Sequence, residues 1–568
     1  MRRSTVKAIN QKKEHLNMKR IILFAALYTL FIIRGVGCTN LIVGKKASAD
    51  GSVFCTYNCD GYGFCGNLYS SPRKTHTADE RIPIRSWADG SIKGYVDQVP
   101  ETYNVIGHIN EYQVTITETT FDGRLELENR DGLLDYFTLM RLGLQRSKTA
   151  REAIKVMTDL VAKYGYNSTG ETISICDKNE AWIMEMIGKG PGRKGAVWVA
   201  IRIPDDCICA HANISRIRQF PLKDKANCMY SKDVISFARE KGYFKGKDSD
   251  FSFRDAYCPI DFENVRYADA RVWSFFRHHY DKGEMDKYLP YINGDFDQCD
   301  HLPLYIKPDK PLTLQDVIWD MRDHFEGTAL DMTADMSAGP WGMPIRPMPM
   351  TWTKDGKRYF VERPIATQKS GTTLVAQMRS WLPDAVGGVC YFNCDDANMV
   401  AYVPVYCCVN EVPFPFKPEA SSEEEFSEKS AFWMNNFVAN MVYPRYSVII
   451  PDLREAQKEL EDYYASDQLT VENKVKEMLA SNSSSQDIIT YLNNKTDDYT
   501  QRMMTRWDKL ARLIIVKHND QVMAPSKDGK VVRGRLSYPG YSQPFYDQII
   551  NDTGDRYLMK ENIERRER

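Results

Sequence analysis

The sequence predicts an α+β fold in which sheets are covered by helices and followed by a helical C-terminal region. Three observations carry that expectation. β-prone runs open the chain from residue 40 and return over 172–202 and 371–408. A helical pattern with its own start signal lies between the first two sets. From residue 421 to about 522 the composition becomes acidic and helix-favouring.

Residues 40–43 and 52–57 read as a strand pair, with Asp50-Gly51 as the hairpin turn signal. Residues 105–109 and 114–120 read as a second pair around Asn110-Glu111. A helix suits 132–146. Thr149-Ala150-Arg151-Glu152 has the form of a capping box, in which hydroxyl and carboxylate each take the other residue's N–H. Ala153, Val156, Met157, Leu160, Val161 and Tyr164 then recur at helical spacing, and Gly165 ends the run. Residues 172–176, 181–186 and 196–202 return to strands, as do 371–378 and 389–408. Residues 481–485 form a polar break within the helical tail. The chain has no internal repeat and no phosphate-binding glycine motif.

The 568 residues are 43% hydrophobic and 27% charged, which supplies a core and excludes a disordered chain, a fibre or a small disulfide scaffold. Net charge is −1, but the first 37 residues carry eight bases and one acid, so the remainder holds 67 bases against 75 acids. A body at −8 has no overall basic field, and no nucleic-acid partner is expected.

Residues 21–33 form a hydrophobic run of 13, preceded by Met18-Lys19-Arg20 and followed by Gly35-Val36-Gly37. A basic stretch, a short apolar run and small residues describe an export signal; a membrane span needs about 20 apolar residues. Residues 1–37 therefore read as a removed leader, with no stable membrane span after processing and a periplasmic or extracellular destination. Removal after Gly37 leaves Cys38 at the N-terminus. A lipid-anchored alternative uses the same residues, because a Cys after a small residue also marks lipoprotein processing. The two exclude each other, since a thioether-linked sulfur is no nucleophile.

The 14 cysteines include no CxxC, and Cys55, Cys59 and Cys65 match no common zinc spacing, so no metal or cofactor is expected. Most of these cysteines read as small buried hydrophobes.

A free N-terminal Cys combines nucleophile and base in one residue. Its α-amine, with a pKa of about 7.7–8.0, can take the thiol proton near neutral pH, and no histidine is required. The surrounding motifs occur in a distinctive order. Cys38-Thr39-Asn40-Leu41-Ile42-Val43-Gly44-Lys45-Lys46-Ala47-Ser48 leads to Asp50-Gly51-Ser52. Asn110-Glu111 precedes Glu118-Thr119-Thr120, and then come Gln145-Arg146-Ser147, Arg271-Val272-Trp273 and Ser380-Trp381-Leu382-Pro383-Asp384. Over 38 to roughly 408 the chain resembles the dipeptidase family of the N-terminal-nucleophile cysteine hydrolases, relatives of penicillin V acylase and conjugated bile acid hydrolase.

The resemblance implies a four-layer αββα sandwich over 38–420, with 421–568 as a mainly helical C-terminal region. It implies hydrolysis of small peptides through a thioester. Cys38 matches the nucleophile, and Asp60 an acid that holds amine and thiol in place. Asn213 falls where relatives donate to the oxyanion, and Arg271 matches an arginine that organises the site. Thr119 and Thr120 lie where acylase relatives place an Asn contact. Glu118 suits a substrate ammonium. Relatives usually have an Arg three residues before the acid, and here that position is Tyr57, a hydrogen-bond donor without positive charge. The reading is an exported cysteine dipeptidase acting on small peptides. Alternatives are an acylase of linear amides such as bile-salt conjugates or penicillin V, and a lipid-anchored surface protein without catalysis. The preferred dipeptide and a homo-oligomeric state stay open.

Overall fold

The computed structural model describes residues 37–61, 64–86, 89–297 and 301–559; the leader reading for 1–36, and Cys299, lie outside the described residues. Two antiparallel sheets dominate. In the first, the strands run Tyr305–Ile306, Ile208–His211, Gly37–Val43, Val53–Asp60, Ser370–Met378, Gly388–Cys394 and Val403–Tyr406. In the second they run Cys228–Tyr230, Ala196–Ile203, Ala181–Gly188, Gly170–Cys176 and Thr115–Phe121, then three two-residue strands. The Gly37–Val43 strand is central in its sheet and buried at every residue. Its register sets Cys38 opposite Cys59 and Gly37 opposite Asp60.

The sheets are pinned face to face by short polar contacts. The Cys55 thiol lies 3.3 Å from the Thr117 hydroxyl, which also donates to the Thr56 carbonyl at 3.3 Å. His211 bridges Thr119 at 2.7 Å and Ser174 at 2.6 Å. Burial, with Arg216 adding to it, holds this imidazole near 3, so it is neutral and ties the two layers together.

The helices Tyr136–Arg146 and Ala150–Tyr164 set Leu139, Met140, Ile154 and Met157 against Ile116, Ile173 and Trp182 of the second sheet. Three long C-terminal helices, Ala431–Val442, Tyr446–Ala480 and Ser485–Lys517, bring Val438, Leu460, Leu492 and Trp507 into the same core as Phe392, Val403 and Tyr406 of the first sheet. Among the described residues no helix is long and apolar enough to cross a membrane. The thirteen described cysteines are all free thiols, ten of them buried.

Local differences from the sequence reading have simple causes. The first two strands pair as expected, but residues 44–52 form a long connection in which Gly51 takes φ +89°. Residues 105–109 split at Gly107, with φ +57°, into Val105–Ile106 and Ile109–Asn110. The 132–146 helix starts at Tyr136, because Asp135 caps it by accepting from the Thr138 N–H at 2.8 Å. At Thr149 only half the capping box forms: Thr149 accepts from Glu152 N–H, while the Glu152 carboxylate takes the N–H of Lys148. The polar break at 481–485 is real, and there Ser484 and Asp487 make a full reciprocal box.

One buried ion pair, Arg379–Glu472, links the end of a central strand to the long helix Tyr446–Ala480. Arg379 also donates to the carbonyls of Val386 and Gly387. Glu472→Gln leaves that guanidinium buried without its carboxylate, and a loss of about 3 kcal/mol is expected. Denaturant unfolding followed by probes in both regions should show one transition moved as a whole; an unshifted midpoint would mean that the pair contributes nothing.

Candidate active site

Cys38 is fully buried at the start of the central strand. Its Sγ lies 3.6 Å from Glu118 Oε1 and 3.9 Å from the Tyr57 hydroxyl, which itself donates to Glu118 Oε1 at 2.6 Å. The hydrogen bond with Cys59, then burial, then the Glu118 charge push the thiol well above its ordinary value. With Gly37 still attached the sulfur is therefore protonated at neutral pH. Among the described residues no histidine is hydrogen-bonded to it. His108 packs edge-on against the Tyr57 ring at 4.8 Å, and burial pulls it down to about 4.

Arg271 is buried and spans three segments. It donates to the Cys38 carbonyl at 2.7 Å, the Thr39 hydroxyl at 2.6 Å, Asn213 Oδ1 at 2.8 Å and the Tyr267 carbonyl at 2.6 Å. Burial, reinforced by the nearby Arg363 charge, lowers it to about 9. Its placement begins at Asp269, at the end of a π-helical turn, Val265–Asp269, that runs into the helix Ala270–His279. Arg216 holds Asp269 at 2.8 Å and the Tyr291 hydroxyl holds it at 2.6 Å.

Asn213 Oδ1 also accepts the Cys38 N–H at 3.3 Å, and Nδ2 donates to the Thr120 carbonyl at 2.8 Å. The side chain thus grips the nucleophile's nitrogen, and one amide hydrogen is left over. Asp60 accepts from the Ser370 hydroxyl at 2.7 Å and from Arg363 at 3.4 Å. Position 57 brings no cation, but Arg363 brings one to Asp60 from the segment before the Ser370–Met378 strand.

Alternation along Thr115–Phe121 separates the next residues. Glu118 and Thr120 share one face; Thr120 donates to Glu171 at 2.9 Å, and Glu118 lies near enough for its charge to push Glu171 up, each carboxyl keeping one buried oxygen without a hydrogen bond. Thr119 points the other way, into the seam between the sheets, where it donates to the Ala212 carbonyl at 2.6 Å. The structure thus gathers Cys38, Tyr57, Asp60, Glu118, Asn213 and Arg271, sets Thr120 one bond further out, and places the Thr119 hydroxyl outside the group. Sequence reading missed Cys59, Glu171, Arg363, Lys369 and Ser370. The strand register alone could have found Cys59, and Ser370 through its pairing with Asp60; Glu171 needs the 118–173 register, and Arg363 and Lys369 lie in irregular chain that carries no pattern.

Residues 37–459 match peptidase family C69. The chain is 24% identical over 506 residues to the probable dipeptidase of Latilactobacillus sakei, covering 84% of this chain and 97% of that relative. It is 24% identical over 418 residues to the probable dipeptidase of Salmonella dublin, covering 68% and 85%. It is 25% identical over 437 residues to dipeptidase A of Lactobacillus helveticus, covering 72% and 83%. The family match takes in every strand of both large sheets and the start of the helical region. On that extent, this chain belongs to peptidase family C69, a family of N-terminal-nucleophile cysteine peptidases.

Proposed function

We propose that the processed chain is an exported dipeptidase that works through a thioester on Cys38, with the Cys38 α-amine as its base. One observation carries the reading: the nitrogen of Cys38 is held by Asn213 beside its own thiol, in a site where no histidine among the described residues is hydrogen-bonded to the sulfur. After removal of residues 1–37 that nitrogen is a basic amine. It takes the thiol proton, the thiolate adds to the peptide carbonyl, and the oxyanion is steadied by the spare Asn213 hydrogen and backbone N–H groups. The amine returns the proton to the leaving nitrogen as the C–N bond breaks. Water then hydrolyses the thioester, releasing a carboxylic acid and restoring the thiol. Asp60 holds the amine, and Arg271 fixes the nucleophile's backbone. Glu118, supported by Tyr57 and by Glu171 with Thr120, receives the substrate's ammonium. The two facing sheets with helices on their outer sides support the four-layer αββα reading of 38–420, and 421–568 acts as a helical cover.

Cys38→Ser, in a chain shown by intact mass to begin at residue 38, is expected to lose hydrolysis of an unblocked dipeptide by orders of magnitude while keeping the fold. A non-cleavable extension after Gly37 is expected to abolish activity as well; full activity in that form rules out the amine as base. Turnover of an N-acetylated dipeptide equal to that of the free one would favour the acylase reading.

The carboxyl pair makes a second prediction. Burial and then the Glu118 charge push Glu171 well above the ordinary carboxyl range, and burial pushes Glu118 up. The folded chain therefore keeps a proton that the unfolded chain releases above about pH 4.3, so this pair's contribution is full below that pH and is lost as pH rises through the folded value. Glu171→Gln mimics the protonated acid at every pH. Its stability relative to the parent is expected to improve steadily from about pH 4.5 towards neutrality, measured by denaturant midpoints. A difference that does not change with pH would mean that no proton is shared.

A further inference from the structure

Residues 361–369 link the Lys357–Phe360 strand to the Ser370–Met378 strand and reach the start of the nucleophile strand. Among the described residues Arg363, 12% exposed, meets a carboxylate only at the long 3.4 Å contact with Asp60, and its Nε has no acceptor there. Its guanidinium rests on the residue before the nucleophile: a Cβ on Gly37 would fall 0.9 Å from Nη2. Lys369 is buried close by, and the charges acting most strongly on its ammonium are Arg363, Asp60, Arg271 and Cys38. Burial, with Arg363 adding to it, brings Lys369 down to about 7. Every hydrogen bond made by Arg271 goes to a neutral oxygen. Arg271, Arg363 and Lys369 thus gather, with Asp60 among them, about the backbone of residues 37 and 38, while Glu118 lies against the Cys38 sulfur. A buried guanidinium short of acceptors, as Arg363 is, is costly, and a carboxylate supplies two acceptor oxygens in the plane a guanidinium offers. A cavity of about 200 Å³ reaches Lys369 from the outside, lined also by Gly61, Phe64, Ser370, Glu423 and Trp433, while Arg363 lies behind it.

We propose that Arg363, with Lys369 beside it, binds the substrate's carboxylate, so that an unblocked dipeptide is recognised by both its charged ends. This rests on the dipeptidase reading and adds to it a subsite for the carboxylate. Removal of Gly37 uncovers the guanidinium next to the new amine. The scissile carbonyl then lies between an ammonium held by Glu118 and a carboxylate held by Arg363. A longer peptide would carry a neutral amide where the carboxylate belongs.

The test uses processed enzyme verified by mass to begin at Cys38, with one unblocked dipeptide and its C-terminal amide. The parent is expected to favour the acid in kcat/KM by about 30-fold or more, as suits a charged hydrogen-bonded pair. Arg363→Met is expected to cut that preference by at least about tenfold, mainly through KM, and Arg363→Lys to restore part of it. Equal turnover of acid and amide by the parent overturns the proposal. So does an Arg363→Met loss of the same factor on both substrates, which would make Arg363 a positioning partner of Asp60. If Arg363→Met does not fold, Lys369→Met and the parent's own ratio decide by the same criteria. A verified parent that cleaves neither substrate fails the dipeptidase reading itself, whereas one that cleaves both alike fails the carboxylate subsite alone.

Discussion

A guanidinium without solvent fixes the geometry of this site. Arg271 is out of water, and its donors reach oxygens from its own helix, from both residues at the head of the nucleophile strand, and from Asn213. None of these segments can shift without leaving a buried donor unpaired, which costs more than the bond itself contributes. The constraint passes outward through Asp269, which Arg216 and Tyr291 clamp at the base of the same helix. Strand, loop and helix are thereby set before any substrate arrives, which is the arrangement that preorganised catalysis needs.

The same burial sets the electrostatics. In so dry a setting the Cys38 thiol, the Glu118 and Glu171 carboxyls and the Tyr57 hydroxyl are all pushed towards their neutral forms. Burial also pulls Arg271 and Lys369 down, to about 9 and about 7. Cys38 therefore sits between acids held towards neutrality and a cationic group around Asp60, in which Lys369, near 7, is the member closest to losing its proton. Such a site draws full charge from its residues only when an opposite charge enters. Outside it, the helical region is no loose appendage. Trp433 and Phe432, from the first of its long helices, wall the opening beside Lys369 and Ser370.

Much of this was legible in the sequence because it is local or periodic. The opening strand pair, the 150–164 helix and the polar break near 481 follow from turn residues and spacing, and the structure keeps each with shifted ends. Cys38, Asp60, Asn213 and Arg271 were legible through motif order. Thr119 shows where that reasoning stops: a motif names neighbours, but the period of two in a strand sends Thr119 and Glu118 to opposite faces. Glu171 enters only through cross-strand register, and Arg363 only through a loop that folds back across more than 300 residues to Asp60. Those are tertiary facts, and nothing periodic in the sequence encodes them.

Gly37 is pressed beneath Arg363 with no room for a β-carbon. On the proposed processing this residue leaves with the leader, so the steric demand applies only to the precursor. An alanine there would displace the guanidinium from Asp60 while the leader is attached, and the matured enzymes from the two genes would be identical molecules. Position 37 is then a contact that deletes itself: the flexible end of Arg363 yields to a β-carbon in the precursor, and the matured enzyme keeps no trace of which residue stood there.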